Sequence, residues 1–267
     1  LAFNAVHTPM DATKERLAKF AAITDPKRRA YAAMMSAMDD NIGLVLRRLR
    51  ETGQEQNTLV CFISDNGGPT MPGVTVNASR NAPLRGSKRT TLEGGIRVPF
   101  VVAWPGRIKP AVFDQPVIQL DLNATALAAA GIEEKHEWNL DGVNLLPFLD
   151  GKKSGPPHDA LFWRWGSQAA VLEHPWKLIR LGEREQLLFD VSQPDGENVK
   201  KNQFAAHPEI EEALARLNLL LAAAPAHLPQ GDGVAAVVGQ RQNVADNSRT
   251  RNGEIVDLPS RTVAAES

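Results

Sequence analysis

A long amphipathic segment followed by short apolar runs is the feature that most limits the folds open to this chain. Between residues 25 and 53, apolar side chains recur at alternating spacings of three and four residues. This spacing places them on one face of a helix. Asp25, Pro26 and Gly53 are typical of an N-cap, a first helical turn and a helix end. The predicted core-facing stripe consists of Tyr31, Met35, Met38, Ile42, Val45 and Leu49.

Two short apolar runs, at residues 58–64 and 98–104, follow this helix along the chain. Unbroken apolar runs of this length are typical of strands that are covered on both faces. A further helix is predicted at residues 122–130, and residues 1–6 are predicted to be the end of a strand. Helices that alternate with buried strands predict an α/β fold with a mostly parallel sheet flanked by helices.

The chain changes character after about residue 150. Four short segments, at 160–165, 169–172, 176–181 and 186–191, are separated by turns and predict a small antiparallel sheet. Residues 208–224 have the pattern of a C-terminal amphipathic helix, whereas residues 225–267 contain no aromatic residue and predict disorder. The predicted regions are therefore an α/β domain at 1–150, a small β subdomain with its terminal helix at 151–224, and a tail at 225–267.

The composition excludes several classes of protein. Hydrophobic residues make up 43% of the 267 residues, which is enough for a folded core. The formal net charge is −1, so a nucleic-acid-binding surface is not expected. No apolar run approaches the roughly 20 residues of a membrane span. The single cysteine, Cys61, excludes an internal disulfide, and its place in an apolar run predicts a buried thiol.

Polar residues that can bind a cation follow the first apolar run, in the sequence Ser-Asp-Asn-Gly at 64–67. Ligands of open α/β sheets gather beyond the carboxyl ends of the strands. The side chains of Asp65 and Asn66 offer carboxylate and amide oxygens, which suit Ca²⁺ or Mg²⁺. The same residues are good turn formers. Taken alone, this segment leaves both a cation site and an ordinary turn open.

A second polar segment, residues 83–99, combines Arg85 and Lys88 with several glycines. A lysine can hold an oxyanion as a compact positive charge, and glycine lets the backbone approach a ligand closely. Glu93 is expected to pair with Arg85 or Arg97 and so to hold the loop in shape. The alternative is a solvated basic loop.

His7 is the third candidate site residue, because it precedes Pro9 at the predicted end of a strand. An imidazole in this position can donate a hydrogen bond or a proton to a leaving group. A lone histidine is more often structural, so the neighbouring sequence alone does not assign a role to His7.

In combination, these segments resemble the formylglycine-dependent sulfatases of the arylsulfatase type. The likeness covers roughly residues 1–200, in order along the chain. The Asp-Asn-Gly strand end and the run Arg-Gly-x-Lys…Glu-Gly-Gly-Ile-Arg-Val-Pro are specific when they occur together. The matching stretches are residues 3–9, 38–43, 57–68, 83–108, 120–132, 141–147, 175–179 and 188–190.

The resemblance implies a sulfuric ester hydrolase with an alkaline-phosphatase-like fold. By position, Asp65 and Asn66 match two ligands of one divalent cation, usually Ca²⁺, with Mg²⁺ as the alternative. Lys88 matches the lysine that binds the substrate sulfate. His7 matches the histidine beside the ester oxygen, where it binds substrate or assists the leaving group. The implied partner is a sulfated small molecule or glycan, and members of this family are commonly periplasmic or secreted.

The nucleophile of this family has no counterpart in the sequence. It is a hydrated formylglycine made from a Cys/Ser-x-Pro-x-Arg motif, whereas Cys61 is followed by Phe-Ile-Ser. We therefore expect the chain to be a C-terminal portion whose formylglycine is encoded upstream, with residues 225–267 unrelated to the family. Two alternatives stay open, namely an inactive remnant that binds a glycan or a partner, and a phosphatase or phosphodiesterase relative. The latter generally shows Asp-His where this chain has Asp65 and Asn66.

Overall fold

Helices dominate the first part of the chain and strands dominate the second. The computed structural model describes residues 1–71, 76–182, 185–193, 196–198, 215 and 235–239. The α-helices are α1 (Lys14–Lys19), α2 (Pro26–Glu51), α3 (Glu93–Ile96), α4 (Asp121–Ala129) and α5 (Leu146–Leu149). Single 3₁₀ turns span Glu55–Asn57 and His136–Trp138. The strands are β1 (Val60–Ile63), β2 (Phe100–Ala103), β3 (Ala160–Trp165), β4 (Gln168–Glu173), β5 (Trp176–Leu181), β6 (Glu185–Asp190) and β7 (Ala235–Gly239).

The predicted long helix is present as α2, and both of its ends are those that the sequence indicates. The Asp25 carboxylate accepts a hydrogen bond from the backbone N–H of Arg28 at 2.8 Å, and Pro26 lies in the first turn. Gly53 follows the helix with a φ of 68°, a left-handed conformation that favours glycine. The predicted helix at 122–130 is also confirmed, as α4.

Strands β1 and β2 form a two-stranded antiparallel sheet, with Val60 opposite Ala103 and Ile63 opposite Phe100. The predicted α/β class is confirmed by the mixture of helices and strands. The expected parallel pairing is not found among the described strands, because every pair between them is antiparallel. An apolar run predicts a strand but contains no information about the direction of the strand beside it.

Both strands of this sheet are more exposed than their sequences predicted. Phe62 is 37% exposed and Val101 is 54% exposed. Cys61 is also exposed, so the prediction of a buried thiol is wrong. The remaining partial burial still raises the pKa of the Cys61 thiol. Hydrophobic sequence indicated a covered sheet, whereas the described residues leave part of each face open.

The second sheet has the strand order β6-β5-β4-β3-β7, with β3 to β6 connected as successive antiparallel neighbours. This arrangement confirms the predicted small antiparallel sheet. Strand β7 pairs with β3, which corrects the predicted disorder for residues 235–239, since pairing with a distant strand is not visible in local sequence. The rest of the tail at 225–267, and the helix predicted at 208–224 apart from residue 215, lie outside the described residues.

The two faces of the second sheet carry separate apolar clusters, because side chains alternate between faces along a strand. One cluster includes two residues from the first part of the chain, Leu92 and Ile118, and therefore packs the sheet against the segment next to Lys88. Its sheet members and their neighbours are Leu161, Ala170, Leu172, Ile179, Leu187, Phe189 and Val191. The opposite face carries Ala160, Phe162, Ala169, Val171, Leu178 and Leu188.

A buried carboxylate at the start of α4 connects this helix to two other segments. Asp121 accepts hydrogen bonds from the backbone N–H groups of Ile118, at 2.8 Å, and Val143, at 2.9 Å. The Nε2 atom of His158 lies 3.0 Å from the same carboxylate. Both side chains are buried, so this pair fixes the start of α4 to the segment that leads into β3.

Residues 1–6 do not form a strand, and that prediction is wrong. They enter a turn in which the His7 backbone N–H donates to the Asn4 carbonyl at 2.8 Å. None of the strand pairs in the described part of the chain includes residues 1–6. In those same residues, no helix combines the length and the apolar character that crossing a bilayer requires.

Candidate active site

The turn that follows β1 holds Asp65 and Asn66 in a defined conformation. The Asp65 Oδ1 atom accepts a hydrogen bond from the Asn66 backbone N–H at 2.9 Å. The Asn66 Nδ2 atom donates to the Gly67 carbonyl at 2.9 Å, which leaves Asn66 Oδ1 as an acceptor. Ser64 donates from its hydroxyl to the Asn66 carbonyl, also at 2.9 Å. The segment is therefore a turn, and the turn itself orients two oxygen-bearing side chains.

Backbone hydrogen bonds attach this turn to the loop that contains Lys88. The Gly67 N–H donates to the Gly95 carbonyl at 2.9 Å, and the Lys88 N–H donates to the Gly68 carbonyl at 3.2 Å. A Cβ atom at Gly67 would collide with the backbone oxygen of Gly94. Only glycine allows this approach, which explains why the predicted cation-binding turn and the predicted sulfate-binding loop lie together.

Asn81 joins the same two segments through its side chain, and sequence reasoning missed it. Its Oδ1 atom accepts from the Gly68 N–H at 3.0 Å, and its Nδ2 atom donates to the Gly68 carbonyl at 2.8 Å. The Nδ2 atom also lies 3.0 Å from the Gly86 carbonyl. A single amide therefore bridges the turn and the Lys88 loop. No local pattern marks this asparagine, because its partners lie 13 residues upstream and 5 residues downstream.

The loop around Lys88 is fixed through its backbone and leaves the lysine side chain without a partner. Ser87 is fully buried, and its hydroxyl oxygen accepts the Thr70 N–H at 2.9 Å. The Thr90 hydroxyl donates to the Ser87 carbonyl at 2.8 Å. Lys88 is half-buried, and its ammonium group makes no hydrogen bond or ion pair with the residues that the structure describes. A lysine held in this way is available to an anion.

Glu93 pairs with one of the two arginines that the sequence suggested and with a lysine that it did not. Its Oε2 atom lies 3.6 Å from Arg97, and its Oε1 atom accepts a hydrogen bond from the Lys177 ammonium group at 2.8 Å. No ion pair joins Glu93 to Arg85 in the described part of the chain, and the buried Nη1 atom of Arg85 has no hydrogen bond there.

His7 is exposed and less firmly connected to the other candidates. Its Nδ1 atom lies 2.6 Å from the Thr8 carbonyl, so this nitrogen carries the proton and Nε2 is left to face solvent. The preceding residue, Val6, accepts a hydrogen bond from the Asn77 side chain at 2.8 Å. The structure thus brings Asp65, Asn66 and Lys88 into one hydrogen-bonded assembly and connects the His7 segment to it through residues 77–81.

The oxygen donors of Asp65 and Asn66 fit a hard divalent cation in kind but not in number. Ca²⁺ takes about six to eight oxygen ligands, several of them from carboxylates. The described residues contain no group of three or more His, Cys, Asp and Glu side chains that could hold a metal ion. The described part of the chain therefore offers two side-chain oxygen donors for such an ion, both from one turn.

Comparisons with known proteins define the class of this fold. The crystal structure of Ps i-CgsB in complex with k-i-k-neocarrahexaose superimposes with a TM-score of 0.72 and 28% identity, covering 92% of this chain and 53% of that chain. Solved sulfatases of this kind have the alkaline-phosphatase-like fold, which confirms the fold expected from the resemblance. Residues 1–132 match the Sulfatase family, and residues 86–223 match the family described as N-sulphoglucosamine sulphohydrolase, C-terminal. The chain belongs to the sulfatase family.

Two relatives show how much of a sulfatase this chain represents. The uncharacterized sulfatase YdeN of Escherichia coli is 34% identical over 165 residues, which are 61% of this chain and 29% of that protein. The N-acetylgalactosamine-6-sulfatase of Homo sapiens is 33% identical over 182 residues, covering 61% of this chain and 34% of the human protein. The chain therefore spans about a third of the length of these relatives.

Proposed function

We propose that this chain supplies the sulfate-binding lysine and part of the cation site of a sulfuric ester hydrolase. The observation that supports this function is the attachment of the Asp65–Asn66 turn to the Lys88 loop, which leaves the Lys88 ammonium group unpaired among the described residues. An unpaired lysine beside two hard oxygen ligands suits an anionic ester, because the anion can contact both a fixed positive charge and a cation.

Asp65 and Asn66 would hold the divalent cation, Ca²⁺ or alternatively Mg²⁺, together with ligands that this sequence does not contain. When bound, such a cation supplies positive charge next to the sulfate oxygens. The two side chains provide one formal negative charge, so the affinity of this chain alone is expected to be in the millimolar range or weaker, as for sites with few charged ligands.

The roles of Lys88 and His7 follow from the side-chain nitrogen atoms that have no partner among the described residues. Lys88 would bind a sulfate oxygen and stabilise the negative charge that develops during sulfuryl transfer. His7 is oriented by its Nδ1 contact with Thr8. When both ring nitrogens carry a proton, the proton on Nε2 would pass to the ester oxygen as the S–O bond breaks, and the ring would be left neutral with its Nδ1–H on Thr8. The attacking oxygen would come from a formylglycine outside this sequence, since no Cys or Ser here is followed by x-Pro-x-Arg.

The substrate class that we infer is a sulfated carbohydrate. One relative is named an N-acetylgalactosamine-6-sulfatase, and one solved neighbour is in complex with a neocarrahexaose. Both names refer to sugars. The missing nucleophile motif favours a second candidate, a chain that binds the sulfated ligand without hydrolysing it.

An aryl sulfate assay of this chain joined to a formylglycine-bearing N-terminal segment of a sulfatase separates these candidates. We expect sulfate release from the joined protein and none from the 267-residue chain alone. In the joined protein, Lys88→Ala should lower kcat/KM by about 10²–10³-fold, as for loss of one preorganised electrostatic contact.

Lys109→Ala is the matched control, because Lys109 is an exposed lysine in the segment that follows β2. Its kcat/KM should stay within about threefold of the parent value. Parental activity in Lys88→Ala would refute the role of Lys88, and an inactive joined protein that still binds sulfate would favour the binding function.

A further inference from the structure

A lysine on the inner face of the second sheet is completely buried. Lys177 lies on β5 opposite Phe189 of β6, on the face that packs against Leu92, and it is 0% exposed. Burial of an ammonium group is costly unless the group is paired and hydrogen-bonded. Apolar side chains surround it on this face, so the charge must be compensated by specific partners.

Two carboxylates from different parts of the chain provide that compensation. The Lys177 Nζ atom lies 2.8 Å from Glu93 Oε1 and 2.7 Å from Glu197 Oε1. The other oxygen of Glu197 accepts the backbone N–H of Glu93 at 2.8 Å. Burial by itself lowers the pKa of Lys177, but the attraction of both carboxylates outweighs it and the pKa is raised. Burial also raises the pKa of Glu197.

Lys177, Glu93 and Glu197 form a buried ionic cluster, and the short helix next to the candidate active site begins at one of them. Glu93 is the first residue of α3. In this helix the Gly94 N–H donates to the Arg85 carbonyl at 2.6 Å, and the Gly95 carbonyl accepts the Gly67 N–H at 2.9 Å. A Cβ atom at Gly94 would lie 2.6 Å from the Arg85 carbonyl oxygen, so the helix and the loop pack without free space.

We propose that Lys177 is a positioning residue, which fixes α3 through Glu93 and thereby holds the Asp65–Asn66 turn and the Lys88 loop in register. The path consists of one ion pair and two backbone hydrogen bonds, each of them short. The second sheet therefore acts on the site through a charge as well as through apolar packing. This inference depends on the proposed function only because that function makes the position of Lys88 important.

Residue-resolved amide hydrogen exchange on the 267-residue chain tests this role without catalysis. Lys177→Met removes the charge and keeps an unbranched apolar side chain. The amides of Gly67, Lys88 and Gly94 should then exchange at least about tenfold faster, while amides within β3 change by less than about threefold. Uniform acceleration in all of these amides, or none in the first three, would overturn the proposal.

Leu178→Ala is the matched control for a general loss of stability. Leu178 is the next residue on β5, is 1% exposed and belongs to the cluster on the opposite face. Its truncation leaves a cavity in the sheet but does not alter Glu93. Exchange should accelerate within the sheet, with no selective effect at Gly67 and Gly94. Selective acceleration at these two amides in the control would also overturn the proposal.

A variant that removes all three charges covers the case in which Lys177→Met does not fold. Lys177→Met combined with Glu93→Gln and Glu197→Gln leaves no unpaired buried carboxylate. We expect higher resistance to urea than in the single variant, with Gly67 and Gly94 still exchanging at least about tenfold faster than in the parent. Parental exchange at both amides would show that the ion pairs do not position the site. Absence of sulfatase activity in the joined protein would refute the proposed function and leave this result unaffected.

Discussion

The two sheets of this chain have similarly apolar sequences and very different surroundings. Strands β1 and β2 read Val-Cys-Phe-Ile and Phe-Val-Val-Ala, yet none of their residues is buried. In the second sheet, Leu161, Ile179 and Leu188 are each at most 2% exposed. Hydrophobic sequence therefore indicates which residues form strands, whereas burial depends on what the rest of the molecule places against them.

The same contrast extends to α2, which lies in the same part of the chain as β1. Leu44 and Val45 are 54% and 39% exposed, although Ala33 on the same helix is fully buried. Exposed apolar side chains on α2 and on strands β1 and β2 distinguish the first part of the chain from the second.

The largest expected difference between the two regions is in the free energy of unfolding that is lost when a phenylalanine on a strand is replaced by alanine. Phe189 in β6 is 1% exposed, whereas Phe62 in β1 is 37% exposed. Phe189→Ala should lower the free energy of unfolding by about 3–5 kcal/mol because it leaves a cavity. Phe62→Ala should cost about 1 kcal/mol or less, as expected for a partly exposed side chain. Urea unfolding of both variants measures the difference, and similar losses would contradict it.

A smaller effect should appear when the pH is raised, through Lys177 in the second region. The pKa of Lys177 is raised above its ordinary value of 10.5 by the two carboxylates that face it. Its contribution to stability is therefore complete below pH 10.5 and is lost as the pH rises through the higher pKa of the folded state.

Urea unfolding between neutral and strongly alkaline pH measures this contribution. One proton accounts for a slope of at most about 1.4 kcal/mol per pH unit. Lys177→Met should lack the slope, because the group that titrates has been removed. A parental slope in the variant would assign the alkaline loss to other groups.

The smallest effect concerns the rate at which a thiol in the first region reacts. Cys61 in β1 is exposed, so a maleimide should label it completely in the native chain without denaturant. Because partial burial raises the pKa of the thiol, the labelling rate should continue to increase at a higher pH than for an ordinary cysteine. Mass spectrometry follows the reaction. Labelling that requires urea would mean that β1 is covered in solution, and the difference in burial between the two sheets would then not exist.

Local sequence was sufficient for those parts of the fold that depend on neighbouring residues. The caps of α2 at Asp25 and Gly53 and the successive strands β3 to β6 agree with prediction. In the candidate site, the motif placed Asp65, Asn66 and Lys88 in segments that the structure then joins by hydrogen bonds. These features depend on capping, periodicity and turn chemistry, all of which operate over a few residues.

Only the tertiary structure decided the features that depend on residues far apart in the chain. One of the two carboxylate partners of Lys177 is Glu93, 84 residues away, and sequence alone describes Lys177 as an ordinary charged residue on a strand. The bridge formed by Asn81, the antiparallel pairing of β1 with β2 and the exposure of Cys61 are of the same kind. The amino-acid sequence determined which side chains are available for the site and on which local elements they lie. Their burial, pairing and alignment were decided by packing between distant segments, because the energies of desolvation and ion pairing depend on the complete surroundings of each group.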